Sequence, residues 1–155
     1  MNPLWEALRD PEATPPQFEL PAWIAAAPFE RLCGIEILEA GAGRARLHMP
    51  FRVKLAQGRG LLHGGALTAL ADTAVAMAIK SLLPEGTHFV TTELSLEFHG
   101  PVTRGGVEAR AEVKRFEGRD IEGTAEVYAE GDRHVATFRS RFRIARRAPP
   151  SASEG

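Results

Sequence analysis

One aspartate interrupts the most apolar stretch of this sequence. Residues 66–83 lack glycine and proline, consist mostly of Ala, Leu, Val, Met and Ile, and stop at Pro84, so they are predicted to form one helix. Asp72 lies two turns into this helix, where a carboxylate is costly unless it is paired or faces a cavity. Asp72 is therefore a candidate functional residue. Two alternatives stay open: Asp72 is the N-cap of a helix that begins later, or it faces solvent.

Two glycines stand directly before the predicted helix. Gly64 and Gly65 have no Cβ, so a ligand can approach the free N–H groups of the first helical turn. Those N–H groups and the positive end of the helix dipole stabilise negative charge. Because glycine is also common in loops before helices for turn geometry alone, the pair is a weak signal by itself and adds to the signal from Asp72.

Length and composition exclude several classes of protein. The chain has 155 residues, enough for one domain with its own core, and its 20 acidic and 19 basic residues favour neither a nucleic acid nor a membrane surface as partner. Asp72 and Lys80 argue against a membrane span in the helix. The one cysteine, Cys33, rules out an internal disulfide and is expected in the core. The N-terminus lacks the apolar run of a signal peptide, so a cytoplasmic protein is expected. The histidines show no metal-ligand spacing, and no metal site is expected.

The elements that position the helix are predicted on both sides of it. Patterns of two-residue alternation, separated by short glycine-containing gaps, indicate six strands. These are residues 35–40, 44–51, 89–98, 107–116, 119–130 and 134–144. In the third strand, strict alternation assigns Thr91 and Leu94 to opposite faces, and in the last strand Arg139, Arg141 and Arg143 face outward. The short connections predict an α+β fold with an antiparallel sheet curled round the helix, and its uncovered face and edges suggest a dimer.

The two ends of the chain differ from its middle. Three segments are predicted: a proline-rich lead segment (1–27), the main domain (28–145) and a disordered tail (146–155). Short helical pieces at 4–9 and 21–27 are expected to pack Trp5 and Trp23 onto the main domain.

Three motifs in this order resemble one known family. Residues 60–65 read GLLHGG, residues 70–72 read LAD, and residues 91–98 read TTELSLEF ahead of Gly100 and Pro101. Over residues 28–144 the chain is similar to the hotdog-fold acyl-CoA thioesterases, in particular the branch of the phenylacetate-pathway and 4-hydroxybenzoyl-CoA thioesterases. An HGG motif with an acid nine residues after its histidine is specific for that branch.

The resemblance implies roles for five residues. The N–H of Gly65 polarises the thioester carbonyl, and Asp72 acts as nucleophile or general base. Gln57 orients the carbonyl or the attacking water, and Thr91 assists the acid or the water. His63, the histidine of the motif, shapes the loop through hydrogen bonds. The implied reaction is the hydrolysis of aryl- or medium-chain acyl-CoA thioesters to the free acid and CoA, with CoA as part of the substrate and no separate cofactor.

The resemblance also implies partners. CoA phosphates are expected to meet basic side chains, with Arg59, Arg139, Arg141 and Arg143 as candidates, and the chain is expected to form a homodimer or a dimer of dimers. Two other functions stay open: an enoyl-thioester hydratase, and a non-catalytic acyl-CoA-binding or regulatory domain.

Helix geometry predicts an active site shared between two chains. Gly65 and Asp72 are seven residues apart in the sequence. That spacing is roughly 10 Å along a helix axis, so one thioester carbon can hardly contact both. We therefore predict that the carbonyl held by Gly65 of one chain meets Asp72 of its partner.

Overall fold

A six-stranded antiparallel sheet curls round one long helix in a computed structural model of the chain, which describes residues 20–146. In chain order the elements are α1 (Pro28–Cys33), β1 (Glu36–Gly41), β2 (Arg44–Pro50), a 3₁₀ turn (Val53–Leu55), α2 (Gly64–Lys80), β3 (Phe89–Phe98), β4 (Gly106–Glu117), β5 (Asp120–Ala129), a second 3₁₀ turn (Glu130–Asp132) and β6 (Arg133–Ile144). The strand order is β1-β2-β4-β5-β6-β3. The predicted α+β architecture is confirmed, and every predicted strand is present within one or two residues.

Helix α2 forms the centre of the core. Eight of its side chains are buried, and it packs against β2, β4 and β5. The packing is close enough that a Cβ on Gly123 of β5 would lie 2.4 Å from Val75 Cγ1, so only glycine fits there. This burial agrees with the apolar composition from which the helix was predicted, and Cys33 is also in the core, at 4% exposure.

The predicted helix bounds of 66–83 are corrected at both ends. The helix starts at Gly64, because the His63 side chain is its N-cap and accepts from the Gly65 N–H. It ends at Lys80, because the Ser81 hydroxyl donates to Ala78 O and accepts from the N–H of Gly43. Asp72 is therefore inside the helix and is not its N-cap.

The segment before α1 is irregular, with a bend at residues 21–24, so the predicted helix at 21–27 is wrong. Pro28 occupies the first turn of α1 and disfavours helical geometry at Ala27, whose φ and ψ are −83° and 176°. The predicted packing of Trp23 is present: its indole Nε1–H donates to Lys80 O at 2.9 Å, and Lys80 Nζ donates to Trp23 O at 2.9 Å. The predictions for Trp5, for the helical piece at 4–9 and for residues 147–155 lie outside the described residues.

Strand β3 departs from strict alternation. Its pairing with β6 shifts between Thr91 and Glu93, which is a β-bulge. Thr91 faces helix α2, where it bonds to Asp72, and Phe98 also faces α2, where its ring covers Gly64. Because of the extra residue, Thr91 and Leu94 share a face, and their predicted assignment to opposite faces is wrong.

Candidate active site

The start of helix α2 holds His63 and Gly65 together. His63 Nδ1 accepts a hydrogen bond from the Gly65 N–H at 2.8 Å, and the His63 backbone O accepts from Ala66 and Leu67. A Cβ on Gly65 would lie 2.9 Å from His63 Nδ1, so a side chain at position 65 would displace the imidazole ring. In the single chain, the N–H assigned to the thioester carbonyl is thus already bonded to a neutral histidine nitrogen.

Asp72 and Thr91 form the second contact pair. Thr91 Oγ1 donates to Asp72 Oδ1 at 2.9 Å, from β3 to the middle of α2. Burial raises the pKa of Asp72, and the hydrogen bond from Thr91 opposes that rise. A carboxylate with a raised pKa is a stronger base than an ordinary one, and Thr91 keeps part of its charge stabilised. This pair can act as a general base toward a water molecule.

A cleft of about 640 Å³ opens above Asp72. One wall is the exposed side of α2, and the opposite wall is formed by the first residues of β3 and the last residues of β6. Trp23 and Lys80 close one end, and the Lys80 ammonium lies 4.6 Å from the centre of the indole ring. Burial lowers the pKa of Lys80, while the nearby Glu30 carboxylate opposes that change. The cleft opens to solvent, so water reaches Asp72.

Gly65 and His63 line a different cavity. It measures about 420 Å³ and has mostly apolar walls, which include Phe29, Leu32 and Ala66. Phe29 and Leu32 of α1 are each 55% exposed. Neither cavity contains both Gly65 and Asp72. Within one chain, the structure therefore brings together His63 with Gly65 and Asp72 with Thr91, but it keeps the two pairs apart.

Gln57 lies in the loop that leads to His63. Its side-chain Oε1 accepts a hydrogen bond from the N–H of Arg59, and its backbone N–H donates to Leu61 O. The bridge between Ala56 and Leu62 and the bond from the His63 N–H to Leu55 O fix this loop beside the start of α2. Gln57 is thus near the His63–Gly65 pair in the chain, and its side chain lines neither cavity described above.

The four candidate arginines do not form one group. Arg143 lines the Asp72 cleft, while Arg139 and Arg141 lie on the outer face of the sheet and Arg59 is exposed on the loop before His63. Arg141 is paired with Glu122 at 3.1 Å. The prediction that the arginines of the last strand face outward is confirmed, but only Arg143 is near Asp72.

Comparison with known proteins identifies the family. Residues 59–136 match the model described as Thioesterase superfamily. The proofreading thioesterase EntH of Klebsiella pneumoniae is 35% identical over 106 residues, which cover 68% of this chain and 77% of that protein. The chain belongs to the thioesterase superfamily.

Two solved structures show that this thioesterase-superfamily chain has the hotdog fold. The conserved protein PA5202 from Pseudomonas aeruginosa superposes with a TM-score of 0.74 at 28% identity, covering 79% of this chain and 97% of that one. The PaaI protein from the phenylacetic acid degradation operon of E. coli superposes with a TM-score of 0.70 at 27% identity, covering 76% and 83%. The resemblance to the phenylacetate-pathway branch is confirmed.

Sequence reasoning missed several residues that line the two cavities. Phe29 and Leu32 beside Gly65, and Arg119 at the rim of the Asp72 cleft, were not singled out. The pattern of Phe29 and Leu32, three residues apart after Pro28, could have indicated a helix face, but nothing in the sequence says that this face lines a cavity. Residues 20–146 contain no group of three or more His, Cys, Asp or Glu side chains that could hold a metal ion. None of the helices in this range is long and apolar enough to cross a membrane.

Proposed function

We propose that this protein hydrolyses acyl-CoA thioesters, with Asp72 as general base. The observation that carries the proposal is the Asp72–Thr91 pair: a carboxylate of raised pKa, held by one hydrogen bond, faces an open cleft from inside an apolar helix. A buried carboxylate destabilises a helix of this kind, so its presence is best explained by chemistry. Membership of the thioesterase superfamily supplies the reaction class.

The proposed reaction uses Asp72 as the base and the Gly65 N–H as the oxyanion donor. Asp72 takes a proton from water, and the water oxygen attacks the thioester carbonyl carbon. The carbonyl oxygen becomes an oxyanion, which replaces His63 Nδ1 as the acceptor of the Gly65 N–H and lies at the positive end of α2. The C–S bond then breaks, and the CoA thiolate takes the proton from Asp72. Gln57 orients the carbonyl or the water from the loop that precedes His63.

A second copy of the chain supplies the missing half of each site. Strand β3 is at the end of the sheet, and within residues 20–146 no strand pairs with its outer edge. Its side chains Val90, Leu94 and Phe98 are 64%, 48% and 57% exposed, and an apolar free edge of this kind favours association with another strand. We propose that β3 pairs with β3 of a second copy.

Antiparallel pairing of two β3 strands completes the site. The Thr91 end of β3 lies at Asp72, and the Phe98 end lies over Gly64 at the start of α2. The two ends are roughly 23 Å apart at 3.3 Å per residue. In a twofold antiparallel pair, the Thr91 end of one strand lies opposite the Phe98 end of the other. Asp72 of each chain then approaches Gly65 of its partner.

A panel of thioesters with a free-thiol readout tests the proposal. We expect turnover of aryl- and medium-chain acyl-CoAs by the wild-type protein and a loss of at least about 100-fold in Asp72→Asn, because Asn cannot accept the proton. Thr73→Val, a neighbouring change on the same cleft wall, is the matched control and should retain activity. Hydration of enoyl-CoA without thiol release would indicate a hydratase. CoA-thioester binding without any turnover would indicate a non-catalytic domain, and wild-type rates in Asp72→Asn would refute the role of Asp72.

A further inference from the structure

Two arginines from different parts of the chain meet at the mouth of the Asp72 cleft. Arg119 is in the turn between β4 and β5, and Arg143 is near the end of β6. Arg119 is fixed across the end of β6, because its Nε donates to Ile144 O at 2.9 Å and its backbone O accepts from the Ile144 N–H at 2.8 Å. Arg146, two residues after β6, adds a third positive charge that acts on Arg119.

Few carboxylates neutralise the positive charge of the three guanidinium groups. The pKa of Arg119 is lowered by desolvation first, and then by the positive charges of Arg143 and Arg146, while Asp120 opposes these effects. The carboxylate of Asp120 is 3.7 Å from Arg143 Nε, and no ion pair to Arg119 or Arg146 forms within residues 20–146. By contrast, Arg46, Arg110 and Arg141 each contact a carboxylate within 3.1 Å. A cluster of like-charged side chains at the edge of an open cleft suits an anionic ligand.

The cluster is at a suitable distance from the reacting atoms. Thr91, which holds Asp72, pairs across the sheet with Phe142, the residue before Arg143. One strand spacing and one residue along the strand place the backbone of Arg143 roughly 6 Å from that of Thr91, with the guanidinium further out. The other titratable side chains of the cleft are Lys80, which bonds to Trp23 O, together with Glu30 and His88. A thioester at Asp72 can thus extend a long flexible arm toward the arginines.

Resting on the proposed function, we propose that Arg119, Arg143 and Arg146 bind the phosphate groups of the CoA nucleotide. This cluster, the arginine rim, replaces the broader set of candidates. Arg141 is held by Glu122 and Glu93, and Arg139 lies on the outer face of the sheet, away from the cleft. Arg59 belongs to the loop beside His63 and not to the Asp72 cleft. The rim therefore makes the enzyme prefer a CoA thioester over the same acyl group on a handle without phosphates.

Three substrates with one acyl group test the rim: the acyl-CoA, the acyl-3′-dephospho-CoA and the acyl N-acetylcysteamine thioester, which has no phosphate. The double variant Arg143→Gln/Arg146→Gln leaves the structural bond of Arg119 in place. Arg44→Gln/Lys114→Gln removes two exposed charges that face Glu112 on the outer face and is the matched control. For acyl-CoA we expect the rim variant to raise KM about tenfold at unchanged kcat, because the phosphate contacts are made equally in the ground state and the transition state. For the N-acetylcysteamine thioester, KM should not change.

Binding of adenosine 3′,5′-bisphosphate, measured by calorimetry, gives a readout that does not depend on turnover. Wild type and control should bind this nucleotide with an affinity that falls as salt rises, and the rim variant should bind it about tenfold more weakly. Equal KM changes for all three substrates, or an unchanged nucleotide affinity in the rim variant, would overturn the proposal. If the N-acetylcysteamine thioester is hydrolysed and acyl-CoA is not bound, the rim assignment fails while thioester hydrolysis stands. If no thioester is hydrolysed, the proposed function fails instead.

Discussion

Two inactive variants of this protein are expected to restore activity when their chains are mixed. Gly65→Pro removes the N–H that now bonds to His63 Nδ1, at a first-turn position where proline is compatible with a helix. Asp72→Asn removes the base in the other cavity. Because both chains of a homodimer carry the same substitution, each homodimer has the same defect in both of its sites.

The expected recovery follows from the symmetry of a shared site. In a mixed dimer, one site combines the altered helix start of the Gly65→Pro chain with the altered carboxyl position of the Asp72→Asn chain, so it has both defects. The other site combines an intact Gly65 with an intact Asp72 and is active. Random reassortment makes about half of the dimers mixed, so the population should recover roughly a quarter of wild-type activity. Mixed dimers purified through two different affinity tags should recover about half.

The assay is thiol release after the two tagged variants are unfolded together and refolded. Circular dichroism and light scattering establish that the variants fold and associate, and the two affinity tags measure how many dimers are mixed. Wild type refolded with Asp72→Asn is the control for refolding yield, since it should give about half of wild-type activity whether or not the chains exchange. Gly65→Ala keeps the N–H but crowds His63, so it separates loss of the donor from displacement of the ring. Well-formed mixed dimers without recovered activity would refute the shared site.

Two further predictions concern the Asp72 carboxyl group. Thr91→Val removes the hydrogen bond that lowers the pKa of Asp72, so the acid limb of the pH profile of kcat/KM should move to higher pH. The rate below that limb should fall about 10-fold or more, whereas Thr91→Ser should keep the wild-type profile. An unmoved limb in Thr91→Val would contradict a role for this hydrogen bond. Asp72→Asn should raise the free energy of unfolding at neutral pH by about 0.5–2 kcal/mol, the usual gain from one stabilising substitution, because it removes a partly buried charge. Since the pKa of Asp72 is raised in the folded state, the carboxyl group destabilises the fold as pH rises through that pKa. The difference in unfolding free energy between Asp72→Asn and wild type, measured by urea unfolding, should therefore shrink as pH falls below it. A constant difference from pH 4 to pH 8 would contradict this reasoning.

The sequence predicted the large features of the fold because each has a local pattern. The apolar run after Gly65 marks a buried helix, and alternation marks the strands around it. The bounds of the helix were less accurate, because its start depends on the His63 side chain and its end on a bond between Ser81 and Gly43, a residue of a distant hairpin. Neither contact has a signature in the local sequence.

The relation between Thr91 and Asp72 could be stated from the family resemblance but not from periodicity. Strict alternation gives Thr91 and Leu94 opposite faces, and only the bulge puts both toward α2. In the bulge, the Thr92 hydroxyl donates to Arg141 O at 3.2 Å. This bond gives a partner to a backbone carbonyl next to the irregular pairing. A bulge depends on the partner strand, so a single strand read alone does not show it. The positions of Phe29 and Arg119 were missed for the same reason, since they come to the site through tertiary packing.

The dimer proposal gives a physical reason for Asp72 to be tolerated in the single chain. Before association the cleft is open, water solvates the carboxylate, and Thr91 donates to it. When two β3 edges pair, the partner covers part of this cleft and removes water, which alone would raise the pKa of Asp72 further. The same step brings the start of the partner's α2 toward the cleft, and the positive end of that helix favours negative charge. Association therefore removes water and supplies the oxyanion donor together, so the carboxylate becomes a catalytic base only where a donor is present.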